Sequence, residues 1–235
     1  MSTSFRNQIA FPIIACFILA LIFVLFPQID LYVSGLFYSS EHANFIYKHN
    51  DAVASMYALF KHMPKFLLPV MLLTIIALYI PKISIGRNDP EAIQSARELR
   101  KPWLFLFLVL LIGPGIIVHL VFKESFDRPR PRAVQEFNGA KEFSPAFIVA
   151  DQPGRNKSFV SGHSAMGFYF MALAWVFQRR RWVLVGLAVG ATVSLGRIVQ
   201  GGHFLSDTIF AGFVCYFTTQ LLAYWIYKSP YIRRD

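Results

Sequence analysis

The sequence predicts an all-α, polytopic membrane protein with six transmembrane helices. Hydrophobic residues make up 55% of the 235 positions, and only 15% of the residues are charged. A soluble domain carries nearer about 25% charged residues, so the composition favours a lipid environment. A spanning helix needs roughly 20 apolar residues, with a range of about 17 to 25. The apolar runs that carry this prediction are 9–26, 66–80, 103–122, 164–177, 182–195 and 208–227.

The first run is expected to be retained as a membrane anchor. A lone Arg6 precedes it and no small-residue cleavage site follows it, which argues against a signal peptide. The fourth and fifth runs are short and reach spanning length only if polar ends such as His163 and Arg197 belong to the helices. Polar residues at such positions are costly unless they face a wet or protein-lined cavity. These two residues are therefore the first indication of a site.

The chain is predicted to form one domain over 1–235, with a motif-bearing core at about 103–227. Residues 1–102 then supply N-terminal helices and an interfacial segment. In that segment Asn50 and Asp51 are placed to cap a helix. Its spacing suggests an amphipathic helix in the membrane interface, with a short loop helix as the alternative. The residues that share its apolar face are Val53, Met56, Tyr57 and Phe60.

The formal charge of +10 lies mostly between the apolar runs. This distribution favours anionic lipid headgroups and phosphate esters as partners and argues against nucleic acid. The positive-inside rule places both termini, the loop 84–102 and the turn at Arg179, Arg180 and Arg181 in the cytoplasm. Basic residues outside that turn which support this orientation are Arg6, Lys82, Arg87, Arg97, Arg100, Lys101, Lys228, Arg233 and Arg234. Cys16 and Cys215 lie inside apolar runs and are expected to be packing residues rather than a disulfide.

Alternating passes bring four polar points to one membrane face. They are the end of run three, the start of run four, the end of run five and the start of run six. The residues at these points are Lys123, Arg128, Arg130, Arg132, Ser161, Gly162, His163, Arg197, His203 and Asp207. Although they are far apart in sequence, we expect them to meet in space.

Each of these residue types has a chemical use at a phosphate. Lys and Arg neutralise its charge, and a guanidinium grips two oxygens at once. Gly162 at a helix start permits close backbone approach to an anion. A histidine can attack phosphorus or protonate a leaving oxygen near neutral pH. His203 and Asp207 are four residues apart, so on a helix they would share a face and Asp207 could orient the ring.

The spacing of these residues resembles the three-part signature of the type-2 phosphatidic acid phosphatase superfamily. That superfamily includes vanadium haloperoxidases and glucose-6-phosphatase. The first part is Lys123 followed after six residues by Arg130-Pro131, and the second is Ser161-Gly162-His163. The third is Arg197, then His203 after five residues and Asp207 after three more. Three parts in order, with the expected spacing and on one predicted face, are a specific match.

The resemblance implies a role for each matching residue. His203 would be the nucleophile that forms a phosphohistidine, Asp207 would orient it, and His163 would protonate the leaving group. The phosphate would be held by Lys123, Arg130, Arg197, Ser161 and Gly162. The family implies no metal and no cofactor.

Two positions depart from the family pattern, and one pair of residues leaves an alternative open. Val160 stands where proline is usual, and Gly196 stands where serine is frequent. Arg128-Pro129 offers a second Arg-Pro pair, and only the spacing from Lys123 favours Arg130.

The favoured function is a metal-independent membrane lipid phosphatase acting on a phosphate monoester or diphosphate. The alternatives are a lipid-to-lipid phosphotransferase that uses the same histidine and, more distantly, a non-enzymatic membrane transporter. The candidate substrates are lipid A, undecaprenyl diphosphate, phosphatidylglycerol phosphate and phosphatidic acid. The stretches 28–38 and 159–163 resemble the bacterial branch that includes lipid A phosphatases. We therefore expect a bacterial inner membrane protein, with its site facing the periplasm or exterior and no obligate protein partner.

Several charged or polar residues near these motifs match no part of the signature. His119 lies one helical turn before Lys123 and is expected to be a packing residue. Four basic residues of the loop between runs three and four could be solvated charges or could contact an anionic headgroup. They are Arg132, Lys141, Arg155 and Lys157.

Overall fold

The structure is a computed structural model that describes residues 6–80, 90–152, 156–229 and 232. Helices account for most of this part of the chain, and the one sheet within it has two short strands. Five basic residues that entered the predictions of topology and headgroup contact lie outside the described residues. They are Lys82, Arg87, Arg155, Arg233 and Arg234.

The helices follow one another in the order that the apolar runs predict. After a π-helical turn at Arg6–Ala10, they are α1 (Phe11–Leu25), α2 (Gln28–Gly35), α3 (Asp51–Tyr79), α4 (Pro90–Leu110), α5 (Lys123–Phe126), α6 (Gly162–Phe168), α7 (Leu173–Phe177), α8 (Arg181–Val199) and α9 (Leu205–Tyr227). A π-helix at Leu111–Phe122 continues α4, and a 3₁₀ turn at Tyr169–Ala172 joins α6 to α7. Two more 3₁₀ turns, Pro131–Ala133 and Gln135–Phe137, lie in the loop after α5.

Among the described residues, five helical segments are long and apolar enough to cross a membrane. They are Gln8–Leu25, Asp51–Tyr79, Pro90–Ala133, Arg181–Val199 and Leu205–Tyr227. The fourth apolar run instead forms pieces of seven, four and five residues, interrupted by the 3₁₀ turn, so the count of six spans is not confirmed. Large apolar side chains on the outer surface, such as Phe17 at 71% exposure, suit contact with lipid tails. The protein is therefore an all-α, multi-pass membrane protein.

The segment before the second run differs from its prediction. Asn50 caps α3, since its Oδ1 accepts from the N–H of Val53 at 3.1 Å, as expected. The helix then continues for 29 residues through Pro64 and Pro69, so the separate interfacial helix is wrong. Membrane helices tolerate proline when neighbouring groups satisfy the freed backbone. At 1.5 Å per residue α3 is about 43 Å long, longer than the roughly 30 Å hydrocarbon core, so one end projects beyond it.

The broken fourth run lies inside the bundle and packs directly on α8. A Cβ added at Gly186 would collide with the backbone of Met171, and one at Gly190 would collide with the ring of Phe168. These two glycines therefore let the broken run and α8 approach closely. The cysteines are free thiols, as predicted, and Cys215 is buried beside the backbone of α6.

A small cap of loops closes the end of the bundle where the polar motifs lie. Strands β1 (Tyr38–Ser39) and β2 (Asn44–Phe45) form an antiparallel pair. Phe45 packs in one buried cluster with Val134, Phe137 and Phe204. Because Phe204 immediately follows His203, this cluster fixes the turn that carries the candidate nucleophile.

Candidate active site

The four polar points predicted to share a membrane face are brought together. The N–H of Ser161, at the start of α6, donates to the carbonyl of Asp207 in α9 at 3.0 Å. Arg132, in the loop after α5, donates from its backbone to the carbonyl of Gly201 at 3.1 Å. Gly201 lies in the turn between α8 and α9, close to His203. These backbone bonds join the loop after α5, the start of α6 and the turn between α8 and α9 into one site.

His203 lies in the turn before α9 and is almost completely buried. Its Nδ1 is 3.5 Å from Oδ2 of Asp207, which is longer than a good hydrogen bond. The prediction that the two residues share a helix face is wrong, because α9 begins only at Leu205. They meet because the Asp207 carboxylate reaches back to the N–H of Phe204 at 2.8 Å, as an acidic N3 residue does at a helix start.

The surroundings of His203 favour the neutral form of its ring. Burial lowers its pKa well below the usual value, and the neighbouring cations Arg197, Arg130 and Lys123 lower it further. The backbone of Ser158 acts in the opposite direction. A neutral imidazole has a lone pair for attack, so the surroundings favour the nucleophilic form.

A buried network of charged and polar side chains holds the Asp207 carboxylate in place. Its Oδ1 accepts from Nη1 of Arg128 at 2.7 Å, and its Oδ2 accepts from Oγ of Ser158 at 2.5 Å. Arg128 also donates through Nη2 to Oδ2 of Asp30 at 2.8 Å. Asp30 in turn accepts from the backbone N–H and the hydroxyl of Ser206. The side chains of Arg128, Asp30 and Asp207 are at most 1% exposed, so the network is dry.

The structure separates the two Arg-Pro pairs that the sequence left open. Arg128 is committed to Asp30 and Asp207 and is only 1% exposed, whereas Arg130 is half-buried and lines an open cavity. Sequence reasoning missed Asp30 altogether. The available signal was a single carboxylate, Asp30, just after the first apolar run. The predicted topology places it on the same membrane face as Arg128, an arginine that the family motif does not require.

Three cations surround the histidine. Lys123 and Arg197 are buried and Arg130 is half-buried. Within the described part of the chain, none of the three makes an ion pair. Arg197 donates from Nη1 to Gln200, but its Nε has no hydrogen-bond partner there. Buried cations without counterions are costly, so this arrangement is suited to an anion.

Tyr57 from α3 forms a platform that sequence reasoning did not assign to the site. Its ring stacks on His163, with ring centroids 4.5 Å apart and an angle of 21° between the planes. The guanidinium carbon of Arg197 lies 4.6 Å from the same ring centroid. A cation over an aromatic face is stabilised by the ring quadrupole. In the sequence Tyr57 was visible only as one member of an apolar face.

Gly196, one of the departures from the family pattern, has a steric explanation. A Cβ at this position would collide with the methyl group of Met56 on α3. The end of α8 thus packs against the Met56 side chain of α3, whose methyl group would have to move to admit a side chain at Gly196. Val160, the other departure, is fully buried in an apolar cluster.

Ser161 and Gly162 form the start of α6. Ser161 is the N-cap, and its Oγ accepts from the N–H of Ser164 at 3.3 Å and from the hydroxyl of Ser164 at 2.8 Å. As an acceptor in both bonds, it retains its own hydroxyl hydrogen as a donor. A Cβ on Gly162 would lie 2.9 Å from Nε2 of His119 and 3.4 Å from Nζ of Lys123. His119 is thus packed beside the site, and Gly162 makes room for both side chains.

The remaining nitrogen of interest belongs to His163. Its Nε2 is buried and, within the described residues, has no hydrogen-bond partner. Across residues 6–80, 90–152, 156–229 and 232, no group of three His, Cys, Asp or Glu side chains is arranged to hold a metal ion. The described site therefore consists of two histidines and three cations, with a buried carboxylate behind one histidine.

Comparison with known proteins gives consistent matches. The model of the PAP2 superfamily matches residues 102–231. A lipid A 4'-phosphatase of Francisella tularensis subsp. novicida is 32% identical, over 95% of this chain and 98% of that protein. Lipid A 4'-phosphatases of Rhizobium etli and Rhizobium leguminosarum are 31% and 29% identical, over 79% and 80% of this chain and 74% and 83% of their own lengths. No solved structure matches significantly.

Proposed function

Because the chain belongs to the PAP2 superfamily and is a membrane lipid phosphatase, we propose that it hydrolyses a phosphate of lipid A through a phosphohistidine on His203. The observation that carries the mechanism is a group of three cations that make no ion pair with any described residue, beside a buried histidine whose pKa is lowered. The similarity to lipid A 4'-phosphatases over nearly the whole chain supports the substrate. The reaction requires no metal in this proposal, because the cations supply the charge stabilisation.

In the first step the phosphate of the lipid lies among Lys123, Arg130 and Arg197. The hydroxyl of Ser161 and the N–H of Gly162 add hydrogen bonds to its oxygens. Nε2 of His203 attacks phosphorus, since Nδ1 is the nitrogen that faces Asp207. A nitrogen–phosphorus bond forms as the bond from phosphorus to the lipid oxygen breaks. Asp207 stabilises the positive charge that develops on the ring.

His163 gives its proton to the departing lipid oxygen. Burial lowers the pKa of His163, and the surrounding cations lower it further, to about 2. In this proposal the bound phosphate offsets the charge of those cations, so it raises the pKa and favours a proton on His163 before the step. Stacking on Tyr57 fixes the plane of the ring. In the second step water attacks the phosphohistidine, His163 accepts a proton from it, and inorganic phosphate leaves. Both histidines then return to their starting states.

The site is proposed to face the periplasm or exterior of the inner membrane. The Arg179, Arg180 and Arg181 turn lies at the opposite end of the bundle from His203, which fits a cytoplasmic location for the turn. Substrate then enters sideways from the outer leaflet, where the apolar surface of the bundle contacts acyl chains.

Phosphate release by the purified, detergent-solubilised protein in excess chelator tests the proposal. The panel is lipid A, undecaprenyl diphosphate, phosphatidylglycerol phosphate and phosphatidic acid. We expect lipid A to be the best substrate, with no effect of the chelator. His203→Ala should lose activity by at least about 1,000-fold and form no phosphoenzyme. His49→Ala is the matched control, because His49 is exposed in the loop before α3.

Three outcomes would contradict parts of this proposal. Near-normal turnover by His203→Ala would rule out this nucleophile. Loss of activity in chelator, restored by a divalent metal, would rule out metal independence. Phosphate release that requires an added acceptor lipid, or transfer of phosphate to that lipid, would make the protein a phosphotransferase.

His163→Ala should still form phosphoenzyme from a substrate whose leaving group needs no proton.

A further inference from the structure

A cationic cavity lies beside the proposed phosphate site. It has a volume of about 410 Å³ and is lined by Arg130, Arg132, Ala133, Lys141, Asn156 and Lys157. All six residues belong to the loop between α5 and α6, which was predicted to carry charges suited to a headgroup. Four of the six carry positive charge, so the cavity is built for an anion rather than for an acyl chain.

The cavity shares Arg130 with the catalytic end of the bundle. Arg130 lines it and also influences the charge state of His203. The backbone of Arg132 is bonded to Gly201, two residues before His203. Lys157 immediately precedes Ser158, whose hydroxyl donates to Asp207. One wall of the cavity is therefore held in place by the same contacts that hold the nucleophile.

Asn156 provides an independent indication of a ligand. Its side chain is 95% buried, its Oδ1 accepts from Nζ of Lys141, and its N–H donates to Oδ1 of Asp127 at 2.7 Å. Its Nδ2 is buried, yet it has no hydrogen-bond partner within the described residues. An unmet buried donor is costly, and an anion oxygen in the cavity would satisfy it.

The surrounding charges are only partly balanced. Lys157 pairs with Glu124, a contact at the exposed rim of the cavity. Arg132 is exposed and has no ion pair among the described residues. The loop is anchored on both sides of the cavity, since the Lys141 backbone exchanges hydrogen bonds with Ala133 and Gln135. These bonds hold the backbone that carries Arg132 and Lys141 on the two sides of the loop.

A second cavity has the opposite chemistry. It measures about 370 Å³ and is walled mainly by phenylalanines, including Phe17, Phe122, Phe147 and Phe210. Apolar surface of this kind suits an acyl chain, which the cationic cavity does not. The two cavities therefore differ in the part of a lipid that their linings suit, an anionic headgroup in one and an apolar tail in the other.

We propose that the cationic cavity binds a second phosphate of the same lipid headgroup while the first phosphate lies against His203. This inference rests on the proposed function, because it specifies the substrate class as a lipid with at least two phosphates. Arg132 and Asn156 are specificity-determining residues in this proposal. They select the substrate without taking part in bond breaking.

The test compares a disaccharide lipid that bears two phosphates with the same lipid lacking the phosphate that is not hydrolysed. Binding of both is measured on the inactive His203→Gln protein, so the result does not depend on turnover. We expect the doubly phosphorylated lipid to bind about 10-fold more tightly, the size of a charge-assisted contact. Arg132→Gln should reduce that ratio by at least about 3-fold, and Asn156→Asp should reduce it further by adding a negative charge.

Controls separate this effect from general loss of positive charge. Arg132→Lys should restore the preference in part. Arg179→Gln removes an exposed arginine at the opposite end of the bundle and should leave the preference unchanged. In otherwise wild-type enzyme, Arg132→Gln should raise KM for the doubly phosphorylated lipid while leaving kcat unchanged. It should raise KM for the singly phosphorylated lipid much less, because that lipid places no phosphate in the cavity.

Two results would overturn the inference. The first is an equal affinity for the two lipids, or an equal loss for both in Arg132→Gln. The second is that inorganic phosphate or a separate anionic lipid raises affinity for the singly phosphorylated lipid in an Arg132-dependent way. The cavity would then bind an anion from another molecule. Failure of the proposed function looks different, because the wild-type protein would release phosphate from neither lipid.

Discussion

Arg128 and Arg130 stand two residues apart in the same Arg-Pro repeat, yet they belong to opposite sides of the site. Arg128 lies between two carboxylates, and its guanidinium nitrogens donate hydrogen bonds to Asp30, Asp207 and Ser206. Arg130 belongs to a group of cations that, among the described residues, makes no ion pair. The first side is complete without substrate, whereas in the proposed function the second acquires its counterion when a phosphate binds. Under that proposal, the same residue type stabilises the fold in one place and binds substrate in the other.

The largest expected effect comes from Asp207→Asn, which alters the buried side. The amide keeps the shape of the side chain but cannot stabilise positive charge on His203. By analogy with the equivalent change in a Ser-His-Asp triad, kcat for lipid A should fall by about 10,000-fold. Measurement of kcat and of burst-phase phosphoenzyme checks this. A variant with more than a tenth of wild-type kcat would show that Asp207 is not needed to support the nucleophile.

Arg128→Met should act mainly on stability. It leaves Asp30 and Asp207 as two buried carboxylates without a cation, and breaking a buried pair in this way costs about 3–5 kcal/mol. The expected result is a large drop in the midpoint of thermal unfolding in detergent. If the single variant does not fold, the double variant Asp30→Asn with Arg128→Met should recover part of the loss, because it removes one unpaired charge.

Arg130→Met is the matched change on the cationic side and should act mainly on activity. It removes one phosphate-binding cation and breaks no ion pair among the described residues. We expect kcat/KM to fall by about 100-fold, with unfolding within about 0.5 kcal/mol of wild type. Equal destabilisation by Arg128→Met and Arg130→Met would remove the distinction between the two sides.

Tyr57 should give the smallest effect of the series. Tyr57→Phe keeps the ring that stacks on His163 and underlies Arg197, so activity should change by less than about 3-fold. Tyr57→Ala removes the ring and should lower kcat/KM by about 10-fold. Steady-state kinetics on the two variants distinguishes the contribution of the ring to activity from that of the hydroxyl. An equal loss in both would assign the effect to the phenol oxygen instead.

Much of this arrangement was predictable because it depends on spacing along the chain. The apolar runs indicated the spanning helices, and alternation of passes placed Lys123, His163, Arg197 and His203 on one face. The run at 164–177 did not behave as a full span, since its helix is interrupted and lies inside the bundle. Sequence periodicity reports apolar character, and a buried segment and a lipid-facing segment share that character.

The contributions from the first third of the chain were not predictable in the same way. Asp30 and Tyr57 acquire their roles only from contacts with Arg128 and Arg197, which lie 98 and 140 residues further along the chain. No local pattern marks such a contact in a single sequence. The continuity of α3 through two prolines was missed because proline usually ends a helix in water, whereas a membrane bundle tolerates it.

The position of Asp30 and Tyr57 has a consequence for how this enzyme can be divided. The family match covers 102–231, and both residues lie before it. A chimera that keeps 102–231 and takes its first hundred residues from another protein would keep Arg128 and Arg197 without the residues that contact them here. Such a graft preserves these contacts only when Asp30 is kept with Arg128, and Tyr57 with Arg197. The segment that matches the family therefore does not contain every residue that contacts the proposed site.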